Sequence, residues 1–126
     1  MCFLFWYIRG RGHVGRRTQL REYMAKERID IVALLETIKA DFTLRDLLAI
    51  DPLQSFDWRW VPSSGHSGGL LMGCKNDVCD VILWEFGVFC IMVTIRHRAS
   101  NLTWVVICVY GPADQSKSAG FLAEVS

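Results

Sequence analysis

Apolar and polar positions along this chain fall into short blocks whose period changes from strand-like to helical and back. Cys2 to Ile8 is an unbroken aromatic and aliphatic run of high strand preference, closed by the loop-forming Arg9-Gly-Arg-Gly12. From about Gly15 to Lys26 the apolar residues thin to Leu20, Tyr23 and Met24, which share one helical face. Ile31-Val-Ala-Leu-Leu35 then places consecutive apolar residues side by side, the signature of a strand buried on both faces, because a one-sided strand would alternate. Strand, helix, strand predicts a right-handed parallel crossover and an α/β or α+β class.

The second half reads differently. Thr43 and Asp46 form a capping-box pattern ahead of Leu44, Leu47 and Leu48, which predicts a short second helix stopped by Asp51-Pro52. Phe56-Asp-Trp-Arg-Trp60 alternates aromatic and charged residues as a half-solvated strand does, before the long turn Pro62-Ser-Ser-Gly-His-Ser-Gly-Gly69. Leu70–Cys74, Val78–Glu85, Phe89–Arg96 and Trp104–Tyr110 follow at short intervals, predicting an antiparallel meander with Trp104 to Val109 near its centre. Ser118 to Val125 reads as the beginning of a helix. No repeat, low-complexity tract or linker divides residues 1–126, so one domain, or a piece of one, is expected.

Composition narrows the classes. Hydrophobic residues at 52% against 21% charged exclude a disordered chain, and a net charge of +1 gives no global field toward nucleic acid or anionic membrane. The five cysteines, Cys2, Cys74, Cys79, Cys90 and Cys108, form no CxxC pair and mostly sit in apolar runs, so buried thiols in a reducing compartment are expected. Zinc has neither ligand spacing nor a histidine pair, and His13, His66 and His97 read as solvated or structural. Asn101-Leu-Thr103 reads as a turn. The N-terminal run lacks a basic leader, and Val81 to Ile95 is interrupted by Glu85 and Gly87, so neither a signal peptide nor a membrane span is expected.

One residue stands out against this background. Glu36 follows the doubly buried strand directly, where an ionised carboxylate is costly unless a cation or hydrogen-bond donors meet it. Ligands gather at the carboxyl ends of strands in open α/β sheets, so a metal ion or a substrate is one reading, and a surface glutamate at a strand end is the other. Arg9, Arg11, Arg16, Arg17 and Arg21 place five cations in thirteen residues, either as phosphate contacts or as a solvated loop and helix face. Trp58, Trp60, Trp84 and Trp104 have strand spacing that favours core packing over base stacking.

Three blocks in this order, Trp6-Tyr-Ile-Arg-Gly10, Asp30-Ile-Val-Ala-Leu-Leu-Glu-Thr37 and Val109-Tyr-Gly-Pro112, resemble the endonuclease/exonuclease/phosphatase superfamily. With Gly65-His-Ser-Gly-Gly-Leu-Leu71 between them, the likeness is greatest to the apurinic-type endonuclease domain of plant non-LTR (LINE) retrotransposons. The resemblance implies a DNase I-like fold, a sandwich of two mixed sheets flanked by helices, of which this chain matches the N-terminal half. It further implies magnesium-dependent phosphodiester hydrolysis of DNA, with an intracellular location that leaves the nucleus open. Glu36 matches the metal-binding glutamate, and Tyr110 the tyrosine whose hydroxyl contacts the scissile phosphate. Magnesium suits such a site because it takes one or two carboxylates plus phosphate oxygens and keeps several waters.

The departures also carry meaning. Tyr7 stands where the family has an asparagine, and a phenol cannot reproduce an amide's paired donor and acceptor. Ile38 follows Thr37 where lysine is usual, and the family's downstream motifs, including its general base, have no match here. The expectation is therefore a truncated, degenerate endonuclease domain of retrotransposon origin, its remaining half absent or supplied elsewhere. A non-catalytic nucleic-acid-binding fragment using Arg9, Arg11, Arg16 and Arg17, a phosphatase relative acting on a small phosphoester, and a relic reading frame with no selected function are the alternatives.

Overall fold

The computed structural model describes residues 1–8, 14–35, 37, 39, 41–63, 68–87, 90–110 and 119–125, with backbone alone for 14–17, 110 and 119–125. Among the described residues, two helices and two four-stranded sheets make up a mixed α+β architecture dominated by strands. The strands are β1 (Phe3–Tyr7), β2 (Ile31–Leu35), β3 (Phe56–Val61), β4 (Leu70–Lys75), β5 (Cys79–Phe86), β6 (Cys90–His97), β7 (Leu102–Tyr110) and β8 (Ala119–Val125). The helices are α1 (Val14–Lys26), between β1 and β2, and α2 (Leu44–Ile50), between β2 and β3. Neither is long and apolar enough to cross a membrane.

The first sheet has the order β1-β2-β4-β3, with β1 and β2 parallel and the other pairings antiparallel. Ile31–Leu35 is buried throughout because its two faces meet two different layers. Ile31, Ala33 and Leu35 join Leu70, Met72 and Cys74 in a core shared with Ile91, Val93, Ile95, Val106 and Cys108 of the second sheet. Val32 and Leu34 turn the other way, onto Leu20 and Met24 of α1 and Ile50 of α2. The molecule is thus a sandwich with its helices laid on the outer face of the first sheet. Leu20 and Met24 bury the stripe expected of α1, while Tyr23 stays half exposed at its rim.

Local signals explain α2. Asp46 N–H donates to Thr43 Oγ1 at 3.2 Å and Thr43 N–H donates back to Asp46 Oδ2 at 2.9 Å, a closed capping box. The backbone hydrogen bond from Thr43 holds the Asp46 carboxyl below the usual carboxylate range. Leu47 packs against the helix-side core, but Leu44, expected on the same apolar face, is exposed. A seven-residue helix has room for only one buried stripe, and that stripe runs through Leu47 and Ile50.

Two expectations require correction. Leu70–Lys75 is not the first strand of a meander; it lies between β2 and β3 in the first sheet, where both its faces are covered. The meander proper is β5-β6-β7-β8. The segment 119–125, read as a helix, is a strand paired antiparallel with β7, Cys108 opposite Phe121 and Tyr110 opposite Ala119. The open edge of β7 presents backbone donors and acceptors that a neighbouring strand satisfies, and this outweighs the modest helix preference of Ala, Leu and Glu. β7 is accordingly internal, as its apolar run suggests.

At the margin of the sandwich, β3 and β5 are tied by a polar clamp. Trp84 Nε1 donates to Asp57 Oδ2 at 3.2 Å, Arg59 pairs with the same carboxylate, and the Arg59 guanidinium lies 5.4 Å from the centre of the Trp84 ring system. Trp58, Trp60, Trp84 and Trp104 all pack against one of the two cores. His97, at the end of β6, shares a 2.8 Å hydrogen bond with Ser100 in the following turn, while His13 and His66 lie outside the described residues.

Burial pushes the Cys74 thiol far up, Cys79 to about 11 and Cys108 to about 12, so all three stay protonated and unreactive at neutral pH. Cys2 and Cys90 are only partly covered. Brief iodoacetamide treatment of the native chain is expected to label Cys2 and Cys90, with Cys74, Cys79 and Cys108 labelled only after denaturation; mass spectrometry of the peptides reads the pattern.

Candidate functional site

The carboxyl ends of β1 and β2 lie side by side because the two strands are parallel and in register, Tyr7 opposite Leu35. Ile8 N–H donates to Leu35 O at 3.0 Å, which carries the ladder to the rim. Leu35 is also opposite Leu70, the first residue of β4, and Thr37 N–H donates to Gly69 O at 3.3 Å. Residues 7–8, 35, 37 and 69–70 therefore meet along one edge of the first sheet. Described parts of three separate blocks of the chain converge there: Trp6-Tyr-Ile8, Leu34-Leu35 with Thr37, and Gly68-Gly-Leu-Leu71.

The glycines of the third block have a backbone reason. Gly68 and Gly69 have φ of 83° and 95°, in the region that a Cβ disfavours, so the turn into β4 needs residues without one. Val109 and Tyr110 of the fourth block belong to the second sheet. β7 leaves the end of the sandwich where β1 begins, with the Trp104 ring 5.8 Å from that of Phe3. Tyr110 closes β7 at its other end, opposite Ala119 of β8.

Glu36 itself lies outside the described residues, as do Arg9 and Arg11; its neighbours Leu35 and Thr37 frame it. Tyr7 ends β1 with 49% of its surface exposed. Tyr110 is described by its backbone alone, and so are Arg16 and Arg17, both on α1. The remaining member of the basic group, Arg21, donates through a guanidinium nitrogen to Ala49 O at 3.2 Å, joining α1 to α2. That contact gives this arginine a structural use.

Thr37 is the residue that reading the sequence for charge and motif passed over. It is 1% exposed, and its Oγ1 has no hydrogen-bond partner among the described residues. A buried hydroxyl is favoured by about 1–3 kcal/mol when it finds a partner. Nothing in its sequence context announces it, because burial and an unmet hydroxyl are properties of the assembled rim.

Among the described residues, Tyr7 and Thr37 each bring an oxygen-bearing side chain to these strand ends, Tyr7 half exposed and Thr37 buried. Oxygen side chains of this kind are ligands of hard divalent cations. Among the described residues, no group of three or more histidine, cysteine or acidic side chains is placed to hold a metal ion. Next along the chain, Lys39 is 3.6 Å from Asp46 and stacks near Phe42, and its carbonyl accepts from Ser63 N–H at 2.9 Å, anchoring the exit from β2 to α2 and to the end of β3.

No protein-family model matches this chain, and no curated protein matches it.

Proposed function

We propose that this chain carries part of a magnesium-dependent phosphodiesterase site of the endonuclease/exonuclease/phosphatase kind, set in a DNase I-like sandwich and directed at DNA. The observation that supports this reading is the convergence at one rim. Parallel pairing of β1 with β2, and the seating of Gly69-Leu70 against Leu35 and Thr37, join blocks that are far apart in sequence. Sheets put binding groups at such carboxyl ends, where loops are free to differ while strands hold them in place.

In this reading Glu36 holds the metal, and the Tyr110 hydroxyl donates to a phosphate oxygen, where a preorganised donor stabilises developing negative charge. Magnesium, when bound, neutralises charge on the phosphate oxygens and helps to orient the phosphodiester. Tyr7 supplies a phenol where the family has an amide, which weakens the network around the metal. The matched motifs contain no general base, so hydrolysis is expected only where another segment supplies one. We assign this chain metal and phosphate binding rather than turnover.

Magnesium titration followed by backbone amide signals tests the assignment. Saturable shifts are expected at Leu35, Thr37 and Gly69, with the apparent affinity of Glu36→Gln lower by about tenfold or more, since it loses the only charged ligand. Unresponsive amides at this rim, or equal affinity in the variant, would remove the metal assignment. Salt-dependent DNA binding that ignores Glu36→Gln but falls with Arg16→Ala and Arg17→Ala would favour a non-catalytic nucleic-acid-binding fragment instead.

A further inference from the structure

We propose that a cleft at the other end of the first sheet binds a small organic anion with an apolar body, an aryl or alkyl carboxylate, between Arg21 and Lys75. The cleft has a volume of about 290 Å³, at the small end of the range of ligand pockets. It opens where the second half of α1, the turn after α2 and the paired residues Phe56 of β3 and Lys75 of β4 come together. The residues that line it are all described. β4 runs from Leu70, opposite Leu35, to Lys75, about 17 Å along the strand, so this site does not depend on the reading of Glu36.

The floor of the cleft is apolar and fixed. Met24, Ile29 and Ile50 belong to the helix-side core, and Phe56 packs against it. Leu53 stands at the mouth with 86% of its surface exposed, an apolar side chain that the fold leaves uncovered. Charge then selects the ligand. Arg21 gives one guanidinium nitrogen to Ala49 O, which offsets the negative end of α2 and leaves its other N–H groups for a second acceptor. The Lys75 side chain makes no hydrogen bond or ion pair among the described residues. The one carboxylate in the lining, Asp51, already accepts from Ser55 N–H, Phe56 N–H and the Trp58 indole. Two cations therefore flank a hollow whose only acid is committed elsewhere. An anion with an apolar body meets both features: the body covers Phe56 and Leu53, and the carboxylate accepts charge-assisted hydrogen bonds from Arg21 and Lys75.

Amide titration of the full chain with phenylpropionate, and with phenylpropanol as the uncharged molecule of similar shape, tests the proposal. Saturable shifts are expected at Ala25, Leu53 and Ser55, with the acid bound about tenfold more tightly than the alcohol at low salt. Lys75→Gln removes one cation and is expected to erase most of that preference while the alcohol binds as before. Leu53→Ser is expected to weaken acid and alcohol alike, by about threefold or more, because both lose the same apolar contact. Arg21 joins α1 to α2, so the test is placed on Lys75 and Leu53, whose replacement is expected to leave Tm within about 2 °C of the parent.

Equal affinity for acid and alcohol in the parent overturns the inference, and so does an acid preference that survives Lys75→Gln undiminished. Amides at Ala25, Leu53 and Ser55 that respond to neither probe, or a Leu53→Ser chain that binds both as the parent does, remove the cleft as a binding site. None of these outcomes touches the magnesium assignment, which is read from Leu35, Thr37 and Gly69 at the opposite end of the same sheet.

Discussion

Asp51→Ala is expected to lower the stability of the chain by about 3–4 kcal/mol and its Tm by about 10 °C, measured by denaturant and thermal unfolding. Asp51 follows α2 and is only 5% exposed, yet its carboxylate accepts from three donors. Ser55 N–H reaches Oδ1 at 2.9 Å, and Phe56 N–H and the Trp58 indole N–H both reach Oδ2 at 3.0 Å. Alanine leaves all of them without the acceptor around which the turn into β3 is built. The indole bond is buried, so water cannot replace it there.

Asp51→Asn separates the contributions. An amide oxygen in the Oδ2 position keeps the Phe56 and Trp58 bonds, but its NH2 group then faces the Ser55 N–H. About half the alanine loss is expected. A loss near zero for either variant would show that the turn finds other acceptors, and the role given to Asp51 would be wrong.

The second large effect is expected at Gly73, in the middle of β4. Its register partner is Trp58, whose ring lies directly over it. A Cβ at Gly73 would stand 2.6 Å from both Cε3 and Cζ3 of that ring. The ring has little freedom to retreat, being 7% exposed and fastened through its indole nitrogen to Asp51. Gly73→Ala is therefore expected to destabilise by about 1–3 kcal/mol through overpacking, despite the usual gain from replacing glycine in a strand.

A double-mutant cycle tests the mechanism. Trp58→Phe, itself destabilising, opens space above Gly73, so adding Gly73→Ala to it is expected to do less harm than in the parent. Strict additivity would mean that the alanine methyl acts elsewhere. Both predictions concern the layer between the first sheet and the helices, and they leave the rim with Glu36 and Thr37 intact. Amide titration of the Gly73→Ala chain is accordingly expected to match the parent wherever the variant is folded.

Much of the secondary structure was legible without coordinates. Consecutive apolar residues from Ile31 to Leu35 announced burial on both faces, since no alternation marks a solvent side, and the structure supplies a sheet on one face and helices on the other. Leu20 and Met24 announced the inner stripe of α1. Thr43 and Asp46 announced the start of α2, because a capping box is formed within one turn by residues that are neighbours in sequence. Glu36 attracted notice for an equally local reason: a charge follows a buried run.

Other features were decided only by the assembled fold. A strand pattern does not name its partner, so the apolar run Leu70–Cys74 suited a meander as well as the gap between β2 and β3, which β4 fills. Residues 119–125 carry residues common in helices and form a strand because β7 offers them a ladder. Asp51 read as the stop of a helix and acts also as the acceptor that seats Trp58, while Gly73, inside the strand Leu70–Cys74, is the space the Trp58 ring requires. At the candidate site the carboxylate was visible and the buried hydroxyl beside it was not. Periodicity, caps and charge are properties of adjacent residues and can be read along the chain. Strand order, burial and unmet hydrogen bonds depend on distant segments meeting, and that is settled only when the sheets and helices pack.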